Sequence, residues 1–296
     1  MLLAARRLLR GGPRATYYRE VVLPRILETP PISGTTNGAC EIHALTCAAD
    51  WLCLIWTLKS FYRVTDHRYR LCIHGDPTLT SAQALTLRAH FPDARVIESA
   101  TALTEARRRL QSHPRCLAFR ERNHLSPKVV DFLHFLEADR LLILDSDLLF
   151  FSRPAALLDR VEGVGRVNAF NGDVASAYTV DPDLVRARCG IVLPPRINSG
   201  LALVHRESLR LDWLEEFLAL EGIDSHFWRQ EQTLLALCSA RFGVELLPPE
   251  YDVRLDRGPP GPCRHYVGAI RQRFFSEGIR LLRAGLLEER GSSCAS

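Results

Sequence analysis

The stretch Arg140–Leu144 with the Asp145-Ser146-Asp147 that follows constrains this chain more than any other. Leu141, Leu142, Ile143 and Leu144 form an unbroken apolar run, the pattern of a strand buried on both faces of a parallel sheet. The run stops at two carboxylates spaced i and i+2. On a strand, that spacing puts both side chains on one face, with Cα atoms about 6.6 Å apart. Oxygen ligands of a hard cation sit only about 2.1 Å from it. One ion can therefore take both carboxylates only if the strand ends here and the chain curls. Mg²⁺ and Mn²⁺ are the ions such oxygens suit. The plainer alternative is an Asp pair capping a strand-to-loop turn.

The flanking pattern predicts an α/β fold. Glu41–Thr46, Arg70–His74 and Arg95–Ile97 read as strands. Helical spacing runs through Ala48–Phe61, Ser81–His90, Thr101 to about Ser112, and Ser126–Leu136, where Pro127 takes the first helical position. Alternating short strands and helices imply a mostly parallel sheet covered on both sides. Ligands of such sheets bind at the carboxyl ends of the strands, so Thr46 and Asp145 belong to one rim. Farther on, Gly165–Phe170, Ile197–Val204, Val244–Leu247 and His265–Val267 read as strands. Leu211–Leu220, Gln230–Cys238 and Phe275–Leu287 read as helices. The expected division is an irregular basic extension (1–38), a nucleotide-binding half (39–151), an acceptor half of the same domain (152–288) and a disordered tail (289–296).

A net charge of +4 over 296 residues is too small to point to nucleic acid. Nine cysteines, odd in number and without a C-x-x-C pair, read as small buried apolar residues of a reducing compartment. The expected location is cytoplasmic. Six arginines against one acid in the first 25 residues, interleaved with leucines, suggest either weak peripheral contact with an anionic membrane or a frayed extension.

Other residues join the Asp pair in order along the chain. Lys128 precedes Asp145 by 17 positions, Asn198-Ser199-Gly200 opens an apolar run, and Glu231-Gln232 opens a helical one. Near the C-terminus stands His265-Tyr266-Val267-Gly268-Ala269-Ile270-Arg271. Haloacid-dehalogenase-type phosphatases share the apolar strand and D-x-D, but they carry Thr two residues later, where this chain has Leu149. The set as a whole resembles glycosyltransferase family eight over about residues 40–275. That family combines a helix-borne base, D-x-D, N-[AS]-G, D-Q-x-x-L-N and H-x-x-G-x-x-K.

The resemblance implies a GT-A fold, which is a Rossmann-like nucleotide-diphospho-sugar transferase fold in one α/β domain. It implies a metal-dependent hexosyl transfer from a UDP-sugar to a hydroxyl acceptor, with retention of configuration. Asp145, Asp147 and His265 match the family's ligands for Mn²⁺ (or Mg²⁺). Gly268 and Arg271 match its diphosphate loop, with Arg in place of Lys. Lys128 matches a donor-side arginine, and Ser146 lies between the metal carboxylates. Thr46 and Asp50 fall in the neighbourhood of the family's first donor-binding segment. Asn198, Glu231 and Gln232 match residues beside the transferred sugar. Departures are Ala236 for the closing Asn, Gln272-Arg273 for Pro-Trp, and the spacing after the first strand. Two alternatives stay open. One is an inverting GT-A transferase using Glu231 or Asp173 as base, and the other is a catalytically silent nucleotide-sugar-binding protein. The acceptor and the oligomeric state are not written in the sequence.

Overall fold

In the computed structural model, which describes residues 12–65 and 67–288, a seven-stranded sheet carries the chain. Its strands are β1 (Thr36–Thr46), β2 (Tyr69–Gly75), β3 (Arg95–Ile97), β4 (Arg140–Leu144), β6 (Asn168–Gly172), β7 (Ile197–His205) and β8 (Val244–Leu246), in the order β3-β2-β1-β4-β7-β6-β8. A separate ribbon pairs β5 (Leu148–Phe150) with β9 (Cys263–His265). Four of the six pairings in the large sheet are parallel (β1–β2, β1–β4, β2–β3, β6–β8), and β7 is antiparallel to β4 and β6. The expected α/β class with a mostly parallel sheet therefore holds. Because β7 pairs with β4, one sheet crosses the expected boundary at 151/152.

The apolar run of β4 is buried at every position from Leu141 to Leu144. Its alternation splits it between two cores. Leu142 and Leu144 join Ile42, Ala44, Leu54, Trp56 and Phe61, while Leu141 and Ile143 join Phe132, Ala202, Val204 and Leu235. Helix Trp51–Val64 lies on the first face and Phe227–Phe242 on the second. Between β1 and β4 the chain direction of successive crossovers reverses. This makes their carboxyl ends the switch-point crevice where ligands of open α/β sheets bind.

Several expectations are corrected. The segment expected to be irregular over 1–38 is helical over 12–28, and β1 begins at Thr36. Tyr18, Val22, Leu23 and Ile26 have helical spacing and are buried, and the Trp56 indole donates to the Leu23 carbonyl at 3.0 Å. Over these residues the apolar side of the basic arm faces the core rather than a membrane. Residues 1–11 and the expected tail 289–296 lie outside the described residues. The helix expected over Ser126–Leu136 is a 3₁₀ turn, Ser126–Lys128, followed by Asp131–Phe135. β9 lies two residues before the strand expected at His265–Val267. β5 and helices Pro114–Arg122, Ala155–Glu162 and Pro182–Cys189 are elements that the sequence reading misses. The eight described cysteines are unpaired thiols, six of them buried. Among the described residues, no helix is long and apolar enough to cross a membrane.

Candidate functional site

β4 ends at Leu144 and the chain turns at once, with the Leu148 amide bonding back to the Asp145 carbonyl at 3.3 Å. This is the curl that two carboxylates on one ion require. Helix Trp51–Val64 holds the turn from below. Its Thr57 hydroxyl lies 3.0 Å from the Ser146 carbonyl and 2.6 Å from that of Leu148, and the Ser60 hydroxyl accepts from the Phe150 amide at 3.0 Å. Thr57 and Ser60 stand at i and i+3, on one helix face. Sequence reading missed both, because a hydroxyl inside an apolar helix has no signal until its partner is known.

The β5–β9 ribbon brings the third candidate ligand. Its register sets Leu148 opposite His265, and the Tyr266 amide donates to the Asp147 carbonyl at 2.9 Å. His265 Nε2 then lies 2.9 Å from Asp147 Oδ1 and 3.9 Å from Asp145 Oδ2. One ligand atom from each of the three residues falls within 4.8 Å of the others. Gly200 of β7 closes the far side, where the Asp145 amide donates to its carbonyl at 2.8 Å. A Cβ at Gly200 would stand 2.2 Å from His265 Cε1 and 2.8 Å from Asp145 Oδ2. The glycine of Asn198-Ser199-Gly200 is thus required by close approach.

Cations flank the cluster. Arg271 pairs with Asp147 through one nitrogen and with Asp50 through the other, at 2.7 Å. Asp50 stands at the N-cap of helix Trp51–Val64 without making a capping bond, because its carboxylate faces Arg271. Lys128 is buried and lies 2.9 Å from Asp145 Oδ1 and 3.1 Å from Glu231 Oε1. Its 3₁₀ turn is anchored by the buried two-pronged pair of Arg120 and Asp131, with both bonds at 2.7 Å. Helix Phe227–Phe242 supplies Glu231 and Gln232. Glu231 Oε2 accepts from the Ser199 hydroxyl at 3.1 Å, and Gln232 Oε1 from the Ser199 amide at 3.1 Å. The Asn198 side chain donates through Nδ2 to Asp173 Oδ2 at 3.0 Å.

Burial alone would raise the Asp147 carboxyl, but His265 and then Arg271 overcome it and hold the acid well below its usual range. Burial alone would lower His265, and Asp147 and Asp145 outweigh it, so the imidazole is raised. Lys128, despite burial, is raised by Asp145 and Glu231. Burial pushes Glu231 up against the pull of Lys128. Both directions hold together because one ammonium is shared by two carboxylates, so it gains more than either of them. Four carboxylates (Asp50, Asp145, Asp147, Glu231) face two cations (Lys128, Arg271) in this network. With His265 neutral, as a metal ligand must be, and all four acids ionised, the difference is two negative charges, which one divalent ion would neutralise. The donor set of carboxylate oxygens and one imidazole fits Mn²⁺ or Mg²⁺.

The structure therefore gathers Asp145, Asp147, His265, Lys128, Arg271, Asp50, Asn198, Glu231 and Gln232 into one network. Ser146 is buried at the turn, and Thr46 is buried at the end of β1 with its hydroxyl unpartnered. Gly268 opens the 3₁₀ turn Gly268–Ile270, and a Cβ there meets nothing within 4 Å. On helix Phe227–Phe242 Trp228 is exposed, whereas Tyr251 is buried in the core.

No family model and no curated protein matches the sequence. Solved structures do match. Mouse xyloside xylosyltransferase 1 in its apo form aligns over 79% of this chain and 99% of its own, with 12% identity and a TM-score of 0.54. The galactosyltransferase LgtC, in complex with donor and acceptor sugar analogs, aligns over 86% and 97%, with 14% identity and a TM-score of 0.50. The fold is that of the GT-A glycosyltransferases.

Proposed function

We propose that this chain is a metal-dependent glycosyltransferase that moves a hexose from a UDP-sugar to a hydroxyl acceptor with retention of configuration. The observation that carries the reading is the Asp145–Asp147–His265 cluster, flanked by Lys128 and Arg271 at the switch-point crevice. The fold shared with a xylosyltransferase and a galactosyltransferase supports it. Asp145, Asp147 and His265 would hold Mn²⁺ or Mg²⁺, which neutralises charge on a departing diphosphate. Arg271 offers the diphosphate a planar fork of donors, and Gly268 gives its backbone open access. Lys128 places a fixed charge beside Asp145 and Glu231. Asn198, Glu231 and Gln232 line the sugar side, and Thr46 and Asp50 the nucleoside side. Glu231 is already engaged by Lys128 and Ser199. That favours front-face attack over a protein nucleophile.

The test is hydrolysis and transfer with a panel of UDP-sugars, in Mn²⁺, Mg²⁺ or EDTA. Turnover should require metal and vanish in Asp145→Asn and Asp147→Asn. Metal-dependent turnover undiminished in both variants sinks the assignment. The anomeric configuration of the product, read by NMR, separates retention from inversion. Binding of UDP and Mn²⁺ without any turnover would identify a nucleotide-sugar-binding protein instead.

A further inference from the structure

A second cluster lies on the same sheet, away from the crevice. In the β1–β2 register, His43 pairs with Cys72 and Leu45 with His74. Alternation then places Glu41, His43, Cys72 and His74 on one face. His43 Nδ1 is 3.0 Å from His74 Nε2, and Cys72 Sγ is 3.3 Å from the same nitrogen. All three residues are buried, and one ligand atom from each lies within 4.8 Å of the others. In a tetrahedral shell with metal–nitrogen bonds of about 2.05 Å and a metal–sulfur bond of about 2.3 Å, the edges are about 3.3 Å (N···N) and about 3.6 Å (N···S). Both edges through His74 Nε2 are within a few tenths of an ångström of these values, and the ligand atoms of His43 and Cys72 lie within 4.8 Å of each other.

We infer that His43, Cys72 and His74 form a second, structural metal site for a thiophilic ion, Zn²⁺ or Cu⁺. Two imidazoles and a thiolate with no hard oxygen among them select such ions over Mn²⁺ or Mg²⁺. His43 Nε2 has no hydrogen-bond partner and lies 3.5 Å from Glu41 Oε2, so a small closure would let the carboxylate accept its N–H and fix the tautomer in which Nδ1 is the ligand atom. The Glu41 carboxylate is itself fixed by Arg95 at 2.7 Å. Phe132 covers both rings, with centroids 5.2 Å from His43 and 4.5 Å from His74, and Phe135 lies 5.7 Å from His74. Burial keeps both imidazoles neutral, as ligands must be, and pushes the Cys72 thiol up to about 12. Coordination therefore displaces the thiol proton, which leaves to solvent as the metal–sulfur bond forms. The ion would clamp β1 to β2 three residues below Thr46.

Because the site is buried, it must fill during folding. The test expresses the full chain in cobalt-supplemented medium and dialyses it against EDTA, which strips an exposed carboxylate site. One retained Co²⁺ per chain is expected, with thiolate-to-cobalt charge transfer in the near ultraviolet. Carboxylate and imidazole ligands give no such band. Asp145→Asn should retain both ion and band, and Cys72→Ser should lose the band. X-ray absorption of the wild-type protein needs no variant. It should find one sulfur and two imidazole nitrogens around the metal. No retained ion, a retained ion without sulfur, or a band that survives in Cys72→Ser overturns the proposal. Loss of the ion in Asp145→Asn would assign the retained ion to the first site and likewise overturn it.

Discussion

Replacing Gly200 with alanine tests how the proposed Asp145–Asp147–His265 metal site is built. The new methyl would sit 2.2 Å from His265 Cε1 and 2.8 Å from both His265 Nδ1 and Asp145 Oδ2. The first distance is more than 1 Å inside a normal carbon–carbon contact of about 3.5 Å. The ring cannot swing away freely, because His265 is paired to Leu148 across the ribbon and bonded to Asp147 at 2.9 Å. β7 cannot retreat, because the Gly200 carbonyl holds the Asp145 amide. Overpacking of this kind costs roughly 1–3 kcal/mol of stability. Displacing the histidine by about 1 Å should weaken divalent binding by about 10–100-fold, the scale of other changes that misorient a metal ligand. Urea unfolding reads the first quantity and calorimetric titration with Mn²⁺ the second. Gly268→Ala is the control. Its Cβ meets nothing within 4 Å, so folding and Mn²⁺ affinity should stay as in the wild type. Only UDP affinity should fall, by crowding of the loop proposed to face the diphosphate. If Gly200→Ala matched the wild type in both stability and Mn²⁺ affinity, the close-packed arrangement of Gly200, His265 and Asp145 would be refuted.

Lys128→Met should lower stability by roughly 3–5 kcal/mol, because it strands Asp145 and the buried Glu231 without their cation; urea midpoints at pH 7 measure this. Thr57→Val removes the hydroxyl beneath the Asp turn and should cost about 1–2 kcal/mol. A larger loss of Mn²⁺ affinity than of stability would show that Thr57 positions the carboxylates. Glu41 supplies a pH dependence. Burial would raise its carboxyl, but His43 at 3.5 Å and hydrogen bonds from the Glu137 amide and Arg95 lower it to about 2, against an ordinary 4.5. A depressed folded-state value contributes stability that is complete above about pH 4.5 and is lost as pH falls toward 2. Glu41→Gln should therefore flatten the stability profile in that window, with little change in slope above pH 5.

Sequence alone determined the parts whose signal is local. The β4 run shows as an unbroken apolar stretch that stops at Asp145-Ser146-Asp147, and the helices show as period-3.6 patterning, signals that one strand or helix expresses by itself. The chain order of Lys128, Asn198, Glu231-Gln232 and His265 through Arg271 identified most of the residues that converge. Elements of three residues, such as β5, carry no period, and prolines hid the packed helices of residues 12–28. Only the tertiary structure decided how the residues meet. The β5–β9 register aims His265 at Asp147, and β7 must pass so close that position 200 admits no Cβ. The parallel register of β1 and β2 likewise sets His43 against Cys72 and His74, a cluster invisible to any search for close cysteine spacing. Local sequence specifies which face a side chain occupies. Which side chain from a distant strand shares that face depends on pairing across the sheet, and that is a property of the whole fold.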